Sequence, residues 1–248
     1  MRATTRERPG APVPRGAKKL DYWWTVLFTD PIAVPLANLL VRRRWLTANQ
    51  VSAVALVLGL SVGVVFAFGT RASLIAGGIL FYLAFIVDCV DGKVARALNT
   101  TSRRGEALDK LADGGRRAAA SIGLTLWLWR AETGSDDSLW WAGDGVPENA
   151  FLWAVVYAVL AYYFLEVSGE NETRRRSWSP ETDTAPSPRE WSAALARRRL
   201  LPNPGMPDVQ ALVFIIGPIT GLVVPAVWLG ATMVVAGIGM NVARSFRR

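Results

Sequence analysis

Apolar residues in this chain come in long blocks rather than in an amphipathic scatter. A helix that crosses a bilayer needs about 20 mostly apolar residues. Blocks of that kind run from about Asn49 to Gly69, from Ser73 through Asp88 and on toward Leu98, and from Gly105 to Trp129. Three more run from Asn149 to Val167, from Asp208 to Val224 and from Pro225 to Val242. The pattern predicts an all-α integral membrane protein with six transmembrane helices. The third is the least apolar, because Asp109, Asp113, Arg116 and Arg117 sit in its first half. It spans only if that half faces a polar cavity.

Upstream, Trp23 and Trp24 suit the aromatic belt of a membrane interface. Asp30-Pro31 reads as an N-cap followed by proline in the first turn. Ile32, Leu36, Leu39 and Leu40 recur at helical spacing, with Arg42, Arg43 and Arg44 after them. Residues 21–46 therefore read as an amphipathic juxtamembrane segment lying on the bilayer. Residues 1–20 are rich in Arg, Pro and Gly, without the apolar core of a signal peptide, and read as a disordered basic tail. Residues 47–248 form the six-helix membrane domain, interrupted by a long connection at 168–207. No internal repeat is evident.

The connections orient the helices. Segment 130–148 carries Asp136, Asp137, Asp144 and Glu148, with Trp140 and Trp141 suited to an outer interface. Segment 168–207 carries Arg174, Arg175, Arg176 and Arg197, Arg198, Arg199, and the chain ends Arg244-Ser-Phe-Arg247-Arg248. Those arginines read as topology determinants and lipid-phosphate contacts, or as a grip on a phosphorylated acceptor. By the positive-inside rule both termini and the 2–3 and 4–5 connections are cytoplasmic. The stretch around 177–188 reads as locally disordered and Trp191 to Leu201 as a short interfacial helix.

The net charge of +8 would suggest nucleic acid in a soluble protein. Beside apolar blocks it suits an anionic membrane surface or a phosphorylated substrate instead, and no nucleic acid is expected. The chain has no histidine and one cysteine, Cys89. Imidazole metal sites, His-based triads and an intrachain disulfide are thereby excluded. Cys89 reads as a small packed residue.

The chemistry lies at the junction of the second and third blocks. Asp88 and Asp91, with Gly92, Ala95 and Arg96, are followed by eight residues and then by Gly105, Asp109 and Asp113. At 100° per residue, Asp88, Asp91, Gly92 and Ala95 share one helical face, and Asp109, Asp113 and Arg116 share another. The connection 97–104 lets the two faces converge at the cytoplasmic end. Ionisable residues at membrane depth are costly and read as functional. No nearby run of Lys and Arg supplies the counter-charge, which leaves divalent metal. Carboxylate oxygens suit hard cations, Mg²⁺ or Mn²⁺, and four carboxylates can hold two ions. Small residues beside the acids let a ligand or a neighbouring helix approach the backbone. Arg96 pairs with a carboxylate or with a substrate phosphate. Arg116, and less directly Arg117, contacts a phosphate of donor or acceptor, or forms a charge pair with the aspartates. Lys93 and Lys110 turn away from the acidic faces toward solvent or lipid headgroups.

This arrangement resembles the CDP-alcohol phosphotransferase family, whose signature is D-x-x-D-G-x-x-A-R, eight residues, G-x-x-x-D-x-x-x-D. Asp88, Asp91, Gly92, Ala95, Arg96, Gly105, Asp109 and Asp113 occupy every fixed position. Leu46-Thr-Ala-Asn49-Gln-Val-Ser52 looks like the family's Pro-Asn start of the first helix, with Ala48 where proline is usual. The resemblance implies transfer of a substituted phosphate from a CDP-alcohol, CDP-diacylglycerol first, to an acceptor alcohol or phosphorylated polyol, with release of CMP in phospholipid synthesis. It implies metal ligation by Asp88, Asp91, Asp109 and Asp113, with Asp113 also the general base. It implies a nucleotide pocket of Asp88, Asp91, Gly92, Ala95, Arg96 and Gly105. It further implies a homodimer in a bacterial cell membrane. A soluble CDP-alcohol donor with a lipid or small-alcohol acceptor is the alternative. Two rivals predict different sequences. A prenyltransferase would carry two separated aspartate motifs. A cation transporter would carry acids or broken helices near the midplane. The fifth and sixth helices carry Gly217, Gly221, Gly230, Gly237 and Gly239, which permit close helix contact within or between chains.

Overall fold

Thr47 begins the first long helix with a reciprocal cap. Its Oγ1 accepts from the Gln50 N–H, and the Thr47 N–H donates to Gln50 Oε1 at 2.9 Å. From there the described residues are mostly helical. The computed structural model describes residues 17–18, 20–43, 46–98, 103–133, 147–177, 195, 197–201 and 203–246. The helices are α1 (Asp30–Arg43), α2 (Ala48–Ala67), α3 (Arg71–Leu98), α4 (Arg103–Glu132) and α5 (Ala150–Ser177). Then come α6 (Met206–Thr220, with a wider π-type turn at Leu212–Ile216) and α7 (Val223–Phe246). No strand occurs among the described residues; Asp21 and Leu200 form one isolated parallel bridge.

Four stretches are long and apolar enough to cross a membrane: Thr25–Arg43, Ala48–Ala67, Arg71–Leu98 and Val223–Ala243. They fit a multi-pass membrane protein. Ala150–Leu165 and Met206–Thr220 are shorter apolar helices. As its charges suggested, α4 does not meet that measure, although it is 30 residues long.

Two expectations change. Asp30 does not cap a helix. The backbone is already helical upstream through a π-type turn at Thr25–Thr29, and Asp30 is buried inside the continuous element. α5 continues to Ser177, so the start of the expected 168–207 connection is helical. The basic tail, the acidic connection with Trp140 and Trp141, and the 178–194 stretch lie outside the described residues, apart from the tail's last few positions.

Glycines decide which helices meet. A Cβ at Gly63 would lie 2.4 Å from the Ala119 carbonyl oxygen, and one at Gly123 would lie 2.1 Å from the Gly63 carbonyl oxygen. α2 and α4 therefore touch backbone to backbone. A carbonyl cannot swing aside as a side chain can. Gly63→Ala is expected to destabilise the protein by about 1–3 kcal/mol, read as a lowered helix-melting temperature in detergent. One turn earlier, a Cβ at Gly59 would lie 2.8 Å from Arg116 Cβ, so Gly59 makes room for that arginine.

The C-terminal glycines mostly serve contacts within the chain. Gly217 faces Ala226, Gly230 faces Val213 and Tyr157, and Gly237 faces Phe164. Gly221 takes a left-handed φ of 86° in the turn between α6 and α7. Gly239 has open space around it. At that end of the bundle Arg71 donates to the Pro218 carbonyl at 2.5 Å and to the Ile219 carbonyl, closing the C-terminus of α6. One core, with Phe66, Phe81, Leu124, Trp127 and Phe214, joins α2 through α7. A second joins Ala33, Ala37 and Leu40 of α1 to Ile86, Val90 and Val94 of α3 and to Val51 of α2. That smaller core braces the turns of α3 that carry Asp88 and Asp91.

Candidate metal and phosphate site

α3 and α4 bring three acids together. One carboxylate oxygen each from Asp88, Asp91 and Asp109 lies within 4.8 Å of the others. Asp91 is buried, the Asp88 side chain is 12% exposed, and Asp109 is exposed at the rim. The cup therefore has two deep ligands and one at its mouth.

Asp91 Oδ2 accepts from the Ser52 hydroxyl on α2. Asp88 Oδ1 and Asp91 Oδ1 are buried with no hydrogen-bond partner among the described residues. Buried carboxylate oxygens without a donor are costly and need an explanation. A hard divalent cation supplies one. Oxygens on opposite sides of a Mg²⁺ ion stand about 4.2 Å apart, close to the spread found here. These residues fit such a cation, and the unpartnered oxygens are the chain's own sign of it.

Asp113, expected as a fourth ligand, is engaged by two arginines. It is not in the converging set. Its Oδ1 is 2.5 Å from Arg116 NH2, and its Oδ2 meets Arg117 NH1. The same Arg116 reaches Asp88 Oδ2 with NH1 at 3.2 Å. Its guanidinium also lies 5.3 Å and 5.0 Å from the ring centres of Phe81 and Phe85. Arg116 is fully buried, so of the two expected alternatives the structure displays the charge pair. Part of the counter-charge for the acids thus comes from within the helix pair. The Arg117 side chain keeps 24% of its surface.

A Cβ at Gly92 would lie 3.2 Å from Arg96 NH1, so Gly92 leaves space over which that guanidinium lies. Arg96 is exposed, and Ala95 and Gly105 are half-buried. Lys110 is exposed and paired with Glu106 at 2.9 Å, as its helical direction suggested. Lys93 also turns from the acids, but not into solvent. Its amine is buried and 2.9 Å from Asp30 Oδ1. Cys89 is partly buried against the core under α1.

Sequence reasoning missed Ser52 as a partner of Asp91. The available signal was a hydroxyl one turn into α2, inside the upstream stretch that resembles the family's helix start. It also missed Gly59, whose absent side chain accommodates Arg116.

The described helices thus form a glycine-packed bundle, several of them long and apolar enough to cross a membrane, with three acids converging from α3 and α4. Residues 45–176 match the family model described as CDP-alcohol phosphatidyltransferase, and the chain belongs to that family. A search among curated proteins finds no match. Membership implies a phosphotransferase that moves a phosphatidyl group from a CDP-alcohol to an acceptor alcohol. The family depends in general on divalent metal, and a cluster of three aspartates is present in this chain.

Proposed function

We propose that the chain transfers the phosphatidyl group of CDP-diacylglycerol to a polyol or phosphorylated polyol, releasing CMP, in phospholipid synthesis. The observation that carries this is the convergence of Asp88, Asp91 and Asp109 in a family-matched segment, with a buried, unpartnered oxygen on each of Asp88 and Asp91.

Asp88, Asp91 and Asp109 hold the metal, Mg²⁺ or Mn²⁺, with room in the reading for two ions. When bound, it neutralises the diphosphate and makes the phosphorus more open to attack. Gly92, Ala95, Arg96 and Gly105 line the nucleotide side together with Asp88 and Asp91. Arg96 and the part-exposed Arg117 offer cations to phosphate, while Arg116 orients Asp88 and Asp113 from below. Asp113 takes the proton of the acceptor hydroxyl. The acceptor oxygen forms a bond to the phosphatidyl phosphorus. The bond from that phosphorus to the bridging oxygen breaks, and CMP leaves with that oxygen.

The membrane arrangement belongs to the same reading. We take α2 through α7 as six crossings and α1 as a juxtamembrane helix. α1 packs against the last turns of α3 through Ala33, Ala37 and Leu40, which favours a place at one bilayer face over a full crossing. The domain limits stay at 1–20, 21–46 and 47–248. The site opens on the cytoplasmic side of a bacterial cell membrane, a placement supported by basic residues at helix ends: Arg42 and Arg43 end α1, Arg96 lies in the last turn of α3 and Arg103 begins α4. A homodimer is the assembly of this reading, and α7 offers Gly239 as an uncovered small position.

The test is a panel of CDP-alcohols crossed with acceptors, given to purified protein in detergent with Mg²⁺. CDP-diacylglycerol is expected to release CMP only when an acceptor alcohol is present. Release from soluble CDP-alcohols alone would replace the donor, and metal-dependent cation flux in vesicles without CMP release would favour a transporter.

A further inference from the structure

A second charged cluster adjoins the site and uses none of the signature's fixed positions. Asp30, the first residue of α1, is buried between two cations. Its Oδ1 is 2.9 Å from Lys93 Nζ, and its Oδ2 is 2.9 Å from Arg199 NH2. Lys93 holds a variable position of the motif, directly after Gly92. Its amine also lies 3.4 Å from the carbonyl oxygen of Cys89, the residue that follows Asp88. Asp30 and Arg199 both lie beyond the family-matched residues 45–176.

Arg199 is itself held from several sides. It donates to the Lys18 carbonyl through NH2 at 3.0 Å and Nε at 3.3 Å. The Asp21 N–H donates to the Arg199 carbonyl at 2.9 Å, and the Leu201 N–H donates to the Asp21 carbonyl at 3.0 Å. The Trp23 indole N–H closes on the Leu201 carbonyl at 2.7 Å. Arg199 adopts a φ of 64°. A non-glycine residue stays in that region only where its surroundings over-determine it. Buried charges are poor sources of net stability compared with apolar packing, so three of them from distant segments call for another role.

We propose that Lys93 is a positioning residue for the reaction, clamped by Asp30 and Arg199 so that the Asp88–Asp91 turn of α3 is fixed against α1. The segment from Arg197 to Leu201 is then a working part of the site although it contributes no ligand. This rests on the reading of Asp88 and Asp91 as the metal-holding pair. It assigns Lys93 to orientation and not to solvent, lipid or substrate.

Cys89 is the chain's only cysteine and packs under α1, which makes it a reporter of the clamp. The variants are Lys93→Met, Arg199→Gln and the charge-free triple Asp30→Asn/Lys93→Met/Arg199→Met, with Lys93→Arg as the conservative exchange. In detergent, alkylation of Cys89 by a water-soluble maleimide is expected to quicken about tenfold in the single and triple variants. In the same variants kcat for CMP release should fall about 10–100-fold, with the donor KM nearly unchanged, and Lys93→Arg should recover part of kcat. The triple variant leaves no unpaired charge, so it decides the matter even where the single variants fold poorly. A folded triple variant with slow turnover and fast labelling upholds the clamp. A triple variant with wild-type turnover and labelling overturns it. If the wild-type protein releases no CMP from any CDP-alcohol, the proposed reaction fails, and the labelling comparison alone judges the clamp.

Discussion

Asp91→Asn is expected to lower CMP release by about 10²–10³-fold at saturating substrates, with a helix-melting temperature near that of the wild type. Asp91 is 2% exposed, belongs to the acid cluster and has one unpartnered oxygen. Asparagine keeps the volume and can still accept from Ser52, so packing is preserved. It loses the charge and presents either one oxygen or an NH₂ group toward the cation. A hard divalent ion discriminates strongly against that exchange. Raising Mg²⁺ should restore part of the loss. Unchanged release with normal folding would remove Asp91 from the ligand set.

The second large effect is on stability. Arg116→Met should destabilise the protein by about 3–5 kcal/mol, read as the shift in thermal melting in detergent. Arg116 is fully buried and answers two carboxylates, Asp88 at 3.2 Å and Asp113 at 2.5 Å. Removing it leaves Asp88 without its cation in a region of low dielectric and Asp113 with Arg117 alone. A double variant Arg116→Met/Asp88→Asn relieves part of that and should melt higher than the single one. If Arg116→Met melts as the wild type does, the buried pair is not a structural determinant, and a substrate-facing role for Arg116 regains ground.

Much of the site could be read from residue spacing. The turn of 100° per residue places Asp88 with Asp91, and Asp109 with Asp113, on common faces, and the structure brings three of these four within 4.8 Å. Spacing gives direction around a helix but not depth. It put Arg116 on the acidic face without showing that Gly59 would let it sink to full burial between Phe81 and Phe85. The same limit explains Lys93. Its direction away from the acids was legible. Its burial was not, because its partner Asp30, and the Arg199 that pairs with Asp30 from the other side, are remote in sequence. Asp30-Pro31 misled as a helix start, since a local cap signal carries no information that the preceding turn is already helical. The membrane helices were legible where composition is one-sided, in α2, α3 and α7. α4 is not apolar enough along its length to count with them, and its polar half packs against α2.

The central claim is that Asp88, Asp91 and Asp109 hold a divalent cation used to release CMP from a CDP-alcohol. The most direct measurement is CMP release from CDP-diacylglycerol, in the presence of an acceptor alcohol, by protein first stripped with chelator and then titrated with Mg²⁺ or Mn²⁺. The account predicts no release without metal, saturable restoration on adding it, and a weakened restoration in Asp109→Asn. Release that persists in chelator, or that Asp109→Asn leaves unaltered across the titration, would contradict it.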